Sequence, residues 1–164
     1  MKMIVGKNKD DLFQKTIHLN ENVAKESIAK DNIFKIGLSG GSVATFLTIV
    51  IPKIKTDFTK WKLFFCDESS VPEDSNDSTY EFHKSALIGT SKLREDHFIR
   101  IKQGVSAKEA AADYTKQLKI YFPGPDGHTC SLFPNHPLLE ETDEWIAVIP
   151  KIVSSLFVVR KRQG

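Results

Sequence analysis

Short apolar segments alternate with amphipathic segments along the chain, and this alternation restricts the possible fold more than any other feature of the sequence. Strands are predicted at residues 33–38, 61–66 and 97–101. Helices are predicted at residues 10–30, 43–54, 79–88 and 106–121. Such alternation is typical of a Rossmann-like α/β domain, in which helices cover both faces of a mostly parallel sheet.

Local signals add detail to this prediction. Residues 61–66 are almost continuously apolar, which is typical of a strand buried on both faces of a parallel sheet. Asp10 or Asp11 can cap the first helix, because a carboxylate accepts hydrogen bonds from the free N–H groups of a first turn. Ser106 and Glu109 form a capping box at the start of the fourth helix.

Two more strands are predicted late in the chain, at residues 145–149 and 156–159. Because only a handful of residues separate them, they either pair as neighbours or lie apart in the sheet. The polar residues 69–78 include a proline and predict a loop.

Composition indicates a single domain, comprising residues 1–164 with a basic tail at 159–164. The chain has 164 residues, of which 40% are hydrophobic, and this is enough to bury one core. Its 23 basic and 21 acidic side chains are interspersed, and the net charge of +2 gives no case for nucleic-acid binding. The N-terminus lacks the apolar run of a signal peptide, and no segment reaches the ~18 apolar residues of a membrane span. A cytoplasmic protein is therefore expected.

The two cysteines, Cys66 and Cys130, are expected to be reduced thiols. Neither lies in a C-x-x-C pair or near a histidine at the spacing of zinc ligands. No metal site is predicted.

The first candidate site is the segment Ser39-Gly40-Gly41-Ser42, which follows a predicted strand and precedes a predicted helix. In an α/β sheet, ligands bind outside the carboxyl ends of the strands, and glycines let backbone N–H groups approach a phosphate. The segment matches neither G-x-G-x-x-G nor a P-loop, so a plain tight turn is the alternative.

Asp67 and Glu68 form the second candidate site, directly after the predicted strand at 61–66. Carboxylates at this edge of a sheet can act as general acids or bases. They can equally cap a helix or accept structural hydrogen bonds. Both interpretations remain open at the level of the sequence.

The third candidate is His128, in the loop Gly124-Pro-Asp-Gly-His-Thr-Cys-Ser-Leu-Phe-Pro134. Glycine and proline restrict the backbone path just before it, and Thr129 can cap the helix start that follows. An imidazole exchanges protons near neutral pH, so a catalytic role is possible there. The other four histidines are expected to be structural, superficial or part of a turn: His18, His83, His97 and His136.

Four motifs together resemble the 6-phosphogluconolactonase family in their order and spacing, within the superfamily that also contains the glucosamine-6-phosphate isomerases. They are Ser39-Gly40-Gly41-Ser42, the segment from Trp61 to Glu68, Ser78-Thr79-Tyr80, and the segment from Gly124 to Leu139. The resemblance implies a Rossmann-like α/β fold. It also implies hydrolysis of 6-phosphoglucono-1,5-lactone to 6-phosphogluconate in the oxidative pentose phosphate pathway, by a monomer without a cofactor or metal.

The resemblance also implies roles for individual residues. His128 would be the general base that activates water, with Asp126 as a second catalytic residue of the same loop. The substrate would be bound by the glycine segment, the acidic pair and neighbours of His128: Ser39, Gly40, Gly41, Ser42, Asp67, Glu68, Gly127 and Thr129. The small sugar-phosphate lactone is the partner so implied.

Two departures from the family pattern suggest a shortened member. Ser69 stands where an arginine ordinarily follows the Asp-Glu pair. Tyr121 is followed almost directly by the Gly124 loop, without the apolar strand that family members carry there. One alternative is therefore a catalytically impaired member that only binds sugar phosphate. A glucosamine-6-phosphate deaminase or isomerase is less favoured, because residues 130–134 supply no carboxylate.

Overall fold

The structure is a computed structural model that describes residues 5–121, 146–149 and 155–158. Its α-helices in these ranges are α1 (Lys9–Asp31), α2 (Gly41–Val50), α3 (Thr79–Leu87) and α4 (Ala107–Tyr121). Its strands are β1 (Phe34–Leu38), β2 (Trp61–Phe65), β3 (Asp67–Ser69), β4 (Ile146–Ile149) and β5 (Ser155–Val158). The four predicted helices are confirmed, although α2 ends four residues early and continues as a short 3-10 turn, Ile51–Lys53.

A parallel pair of strands forms the centre of the described structure. β1 and β2 are in register from Phe34 opposite Trp61 to Leu38 opposite Phe65. Side chains alternate along β2, so Leu63 joins a core with α1, α2 and α3, whereas Phe64 joins a second core with α4. The predicted α/β fold, with helices on both faces and β2 buried on both sides, is confirmed.

The prediction of a strand at residues 97–101 is wrong. The segment makes one parallel bridge, Leu63 opposite Phe98, in which the Ile99 N–H donates to the Leu63 carbonyl at 2.8 Å. Beyond that bridge, side chains of α4 take the place of a strand partner. The hydroxyl of Tyr114 accepts from the Phe65 N–H at 2.6 Å and lies 3.2 Å from the Phe65 carbonyl, to which it donates.

The late strands form a second sheet with β3, in the order β3-β5-β4, and both pairings are antiparallel. Of the two arrangements left open by the sequence, β4 and β5 therefore pair as neighbours. Glu68 lies opposite Leu156, so the acidic pair belongs to a short strand at the start of the predicted loop. The predicted loss of a strand before Gly124 falls on residues outside the described ranges.

Helix caps confirm one prediction and correct another. At α4, Ser106 and Glu109 make the capping box in both directions, with N···O distances of 3.3 Å and 3.0 Å. At α1 the cap is Asn8, whose side-chain oxygen accepts from the Asp11 N–H at 2.9 Å. Asp10 and Asp11 instead lie inside the first turn, because the helix begins earlier than predicted.

Removing the Tyr114 hydroxyl should destabilise the fold, because the buried backbone groups of Phe65 lose that partner. We expect Tyr114→Phe to lower the free energy of unfolding by about 1–3 kcal/mol. Denaturant unfolding followed by circular dichroism measures the change. The matched control is Tyr121→Phe, which keeps the ring that lies under the Lys62 ammonium and should change stability by less than about 0.5 kcal/mol. Equal stability of the two variants would contradict this account of the sheet edge.

Candidate functional site

The glycine segment connects β1 to α2 at the carboxyl end of the parallel pair. Gly41 has φ +67°, in the left-handed region that favours glycine. The N-cap of α2 is Gly40, so no side chain of the described residues caps this helix. α1, α3 and α4, in contrast, have Asn8, Ser78 and Ser106 as side-chain caps. The first-turn N–H groups of α2 are therefore available to a ligand.

One open pocket of about 460 Å³ is lined by the starts of both α2 and α3. Gly40 and Gly41 contribute from α2, and Ser78 and Thr79 contribute from α3. The positive ends of two helix dipoles therefore meet one cavity, which favours an anionic group. Asp77 also lines the pocket and places a carboxylate at its edge.

Asp67 lies beside the glycine segment. The Ser39 hydroxyl donates a hydrogen bond to Asp67 Oδ1 at 2.8 Å, and both residues are half-buried. Two candidate sites that are 28 residues apart in the sequence are thus in direct contact. The bond orients Ser39 and leaves the second carboxylate oxygen of Asp67 for other partners.

Glu68 is arranged differently, since it is only 4% exposed. Its Oε1 accepts from the N–H groups of Ser69 and Thr79 at 2.8 Å and 2.7 Å, and its Oε2 accepts from that of Tyr80 at 2.7 Å. Burial raises the pKa of this carboxyl, and the three N–H donors oppose the rise. Glu68 therefore fixes the start of α3 against β3, in agreement with the helix-cap interpretation.

His83 is a neighbour of the glycine segment that the sequence did not single out. It is fully buried on α3, and its Nε2 lies 3.2 Å from the carbonyl oxygen of Ser39. Burial lowers the pKa of the imidazole, which is therefore neutral near pH 7. Helical spacing with Tyr80 and Leu87 indicates a buried position for His83, but it does not reveal a partner 44 residues away.

The basic side chains of this region do not line the pocket. Lys62 donates to the Asp96 carbonyl at 2.6 Å, and Lys84 pairs with Glu81 at 3.3 Å. Arg100 lies 3.1 Å from Glu73 in an ion pair. Within the described residues, none of these three cations therefore gives the pocket the positive charge that an arginine at position 69 would bring.

The predicted catalytic loop lies outside the described residues, and this includes Asp126, Gly127, His128 and Thr129. Among the residues that are described, no group of three or more His, Cys, Asp or Glu side chains could hold a metal ion. Burial raises the pKa of the Cys66 thiol to about 11, so the thiol is protonated near neutral pH. No helix in the described ranges is long and apolar enough to cross a membrane.

Known structures share this fold. The chain superposes on 6-phosphogluconolactonase from Thermotoga maritima with a TM-score of 0.73 and 17% identity, covering 93% of this chain and 75% of the other. The TM-score for 6-phosphogluconolactonase from Trypanosoma brucei is also 0.73, at 20% identity, with 95% of this chain and 75% of the other covered.

Sequence comparison identifies curated relatives. The chain is 38% identical over 135 residues to the 6-phosphogluconolactonase of Homo sapiens, covering 71% of this chain and 52% of the relative. It is 34% identical over 160 residues to a probable 6-phosphogluconolactonase of Drosophila melanogaster, covering 91% and 66%. The chain thus spans about half to two thirds of the length of these relatives.

A family model confirms the resemblance seen in the motifs. The model described as glucosamine-6-phosphate isomerases/6-phosphogluconolactonase matches residues 7–155, which is most of the chain. Because this match, the curated relatives and the α/β fold agree, the chain belongs to the glucosamine-6-phosphate isomerase/6-phosphogluconolactonase family.

Proposed function

We propose that this chain binds 6-phosphoglucono-1,5-lactone and hydrolyses it to 6-phosphogluconate, as in the oxidative pentose phosphate pathway. The observation that carries the proposal is the start of α2, which has no side-chain cap and lines a pocket shared with the start of α3. Such a pocket suits a phosphate group. The names of the curated relatives support the choice of the lactone.

In this proposal the substrate phosphate lies against the N–H groups of Gly41 and Ser42. Gly40 lacks a side chain, so the phosphate can approach the backbone closely. Ser39 is oriented by Asp67 through their 2.8 Å hydrogen bond and contacts the substrate from the β1 side. Asp67 accepts hydrogen bonds from sugar hydroxyls with its second oxygen, while Glu68 keeps α3 in place.

The chemistry itself is assigned to the loop around His128. Opening a lactone requires a base that removes a proton from the attacking water, and then an acid that protonates the ring oxygen as it leaves. The His128 imidazole performs both steps in turn, with Asp126 assisting it. Gly127 and Thr129 contact the substrate beside the imidazole.

The proposed partner is one small molecule, the sugar-phosphate lactone. We propose that the chain binds it as a monomer in the cytoplasm, without a cofactor and without nucleic-acid or membrane binding. The near balance of 23 basic and 21 acidic side chains supports the absence of nucleic acid.

A binding-only role is the second candidate, and Ser69 favours it. An arginine can bind a phosphate with two parallel hydrogen bonds, and a serine at that position supplies neither the positive charge nor the second donor. A glucosamine-6-phosphate deaminase or isomerase is less favoured, because residues 130–134 contain no carboxylate.

Hydrolysis is tested with freshly generated 6-phosphogluconolactone, after subtraction of the spontaneous rate. We expect the chain to exceed the buffer rate and His128→Ala to lose about 10²–10⁴-fold in kcat, because the general base is removed. Calorimetry with 6-phosphogluconate serves as the control and should show that the variant still binds. A buffer-level rate with saturable binding would support the binding-only role, and absence of binding would overturn both candidates.

The separate roles of the acidic pair predict a separation of effects. Asp67→Asn should raise the Kd for 6-phosphogluconate by about 2–10-fold, the value of one lost hydrogen bond, with little change in stability. Glu68→Gln should lower the free energy of unfolding by about 1–3 kcal/mol, because an amide nitrogen cannot accept from a backbone N–H. Thermal melts and calorimetry measure the two quantities. Similar profiles for both variants would contradict the assignment.

A further inference from the structure

We propose that His83 is a positioning residue, whose Nε2–H holds the Ser39 carbonyl and so keeps the start of α2 in the conformation that receives a phosphate group. The proposal deepens the proposed function and rests on it for the identity of the ligand. It assigns a role to a buried histidine that contacts neither the pocket nor the proposed reacting atoms.

The tautomer of His83 follows from its contact. A carbonyl oxygen can only accept, so the Nε2 atom 3.2 Å away must carry the proton and donate it. The C=O and N–H of a trans peptide point in opposite directions, so holding the Ser39 carbonyl also fixes the direction of the Gly40 N–H. One hydrogen bond thereby sets the peptide plane at the N-cap of α2.

The glycine segment needs such a restraint. Two successive glycines have more backbone freedom than any other pair of residues, and the Gly40 N-cap has no side chain with which to hold the turn. Ser39 makes two hydrogen bonds: its hydroxyl donates to Asp67, and its carbonyl accepts from His83. These two contacts join the segment to β3 and to α3.

The imidazole is itself held in place. The Phe65 and Phe82 rings lie 6.3 Å and 5.5 Å from it, between centroids. Glu68 binds the first N–H groups of α3, the helix that carries His83. The position of the donor is therefore determined by the core and by the start of α3.

Packing in the apolar core alone does not explain why this side chain is a histidine. The His83 Nδ1 atom is buried and has no hydrogen-bond partner among the described residues. A buried polar atom without a partner costs free energy. A phenylalanine would fill the space beside the aromatic rings without that cost, but it would leave the Ser39 carbonyl without the Nε2–H donor. The donor to the Ser39 carbonyl is the contact that an imidazole supplies here and a phenylalanine does not.

The test compares His83→Phe, which removes the donor, with His83→Gln, whose amide N–H₂ can still reach the Ser39 carbonyl. We expect His83→Phe to melt close to the wild-type temperature, because removal of the unpartnered Nδ1 offsets the lost bond to the Ser39 carbonyl. Its amides at residues 39–42 should exchange with deuterium faster, and its Kd for 6-phosphogluconate should rise roughly tenfold, as for one lost hydrogen bond. His83→Gln should exchange and bind within about twofold of the wild type, even where its melting temperature is lower.

A positioning role predicts that ligand binding is weakened in His83→Phe and kept in His83→Gln, whatever the stability of each variant. A packing role predicts that binding changes only with stability. The proposal is overturned if His83→Phe keeps wild-type exchange and Kd, or if binding in both variants falls in step with their stability. If the wild type itself binds no 6-phosphogluconate, the proposed function fails. The exchange comparison in the ligand-free protein still decides whether His83 holds the glycine segment.

Discussion

The buried carboxylate of Glu68 is the interaction on which the rest of the described site depends. It accepts three backbone hydrogen bonds, two of them from the first turn of α3, so it joins β3 to that helix. A negative charge beside a helix N-terminus is also favoured by the helix dipole. Because α3 carries His83 to the glycine segment, the geometry at the start of α2 follows from a residue that does not touch it.

A second constraint is the satisfaction of backbone groups at the edge of the parallel pair. Unpaired N–H and C=O groups are costly when buried, and a neighbouring strand usually satisfies them. Beside β2, two different elements bond these groups. The Ile99 N–H donates to the Leu63 carbonyl next to the Phe98 bridge, and the Tyr114 hydroxyl of α4 bonds the N–H and carbonyl of Phe65. Gln117 likewise donates to the Arg100 carbonyl at 3.0 Å. Within the described residues, side chains of α4 thus bond backbone groups that a neighbouring strand would otherwise pair.

These details show how far the sequence could lead. Periodicity predicts the helices and the strands at 33–38 and 61–66, because burial of one face repeats along each element. The segment at 97–101 has the composition of a strand, but beyond the Phe98 bridge the Phe65 backbone is bonded by Tyr114 and not by this segment. Asp67 and Glu68 are alike in sequence and differ in structure, because successive residues of a strand face opposite sides. The sequence left open whether His83 is structural or superficial, and only the tertiary fold shows that it is buried and which carbonyl it contacts.

The same physics indicates what the serine at position 69 changes. A helix N-terminus acts as roughly half a positive charge and contributes about 0.3–1 kcal/mol to anion binding, whereas an arginine brings a full charge and two hydrogen bonds. Two helix starts line the pocket, but the Asp77 carboxylate also lies there and opposes an anion. Backbone dipoles therefore supply only part of what an arginine at position 69 would bring. Under the proposed function this difference concerns binding of the phosphate, which is remote from the lactone carbonyl, so it would weaken affinity for the lactone and for 6-phosphogluconate alike.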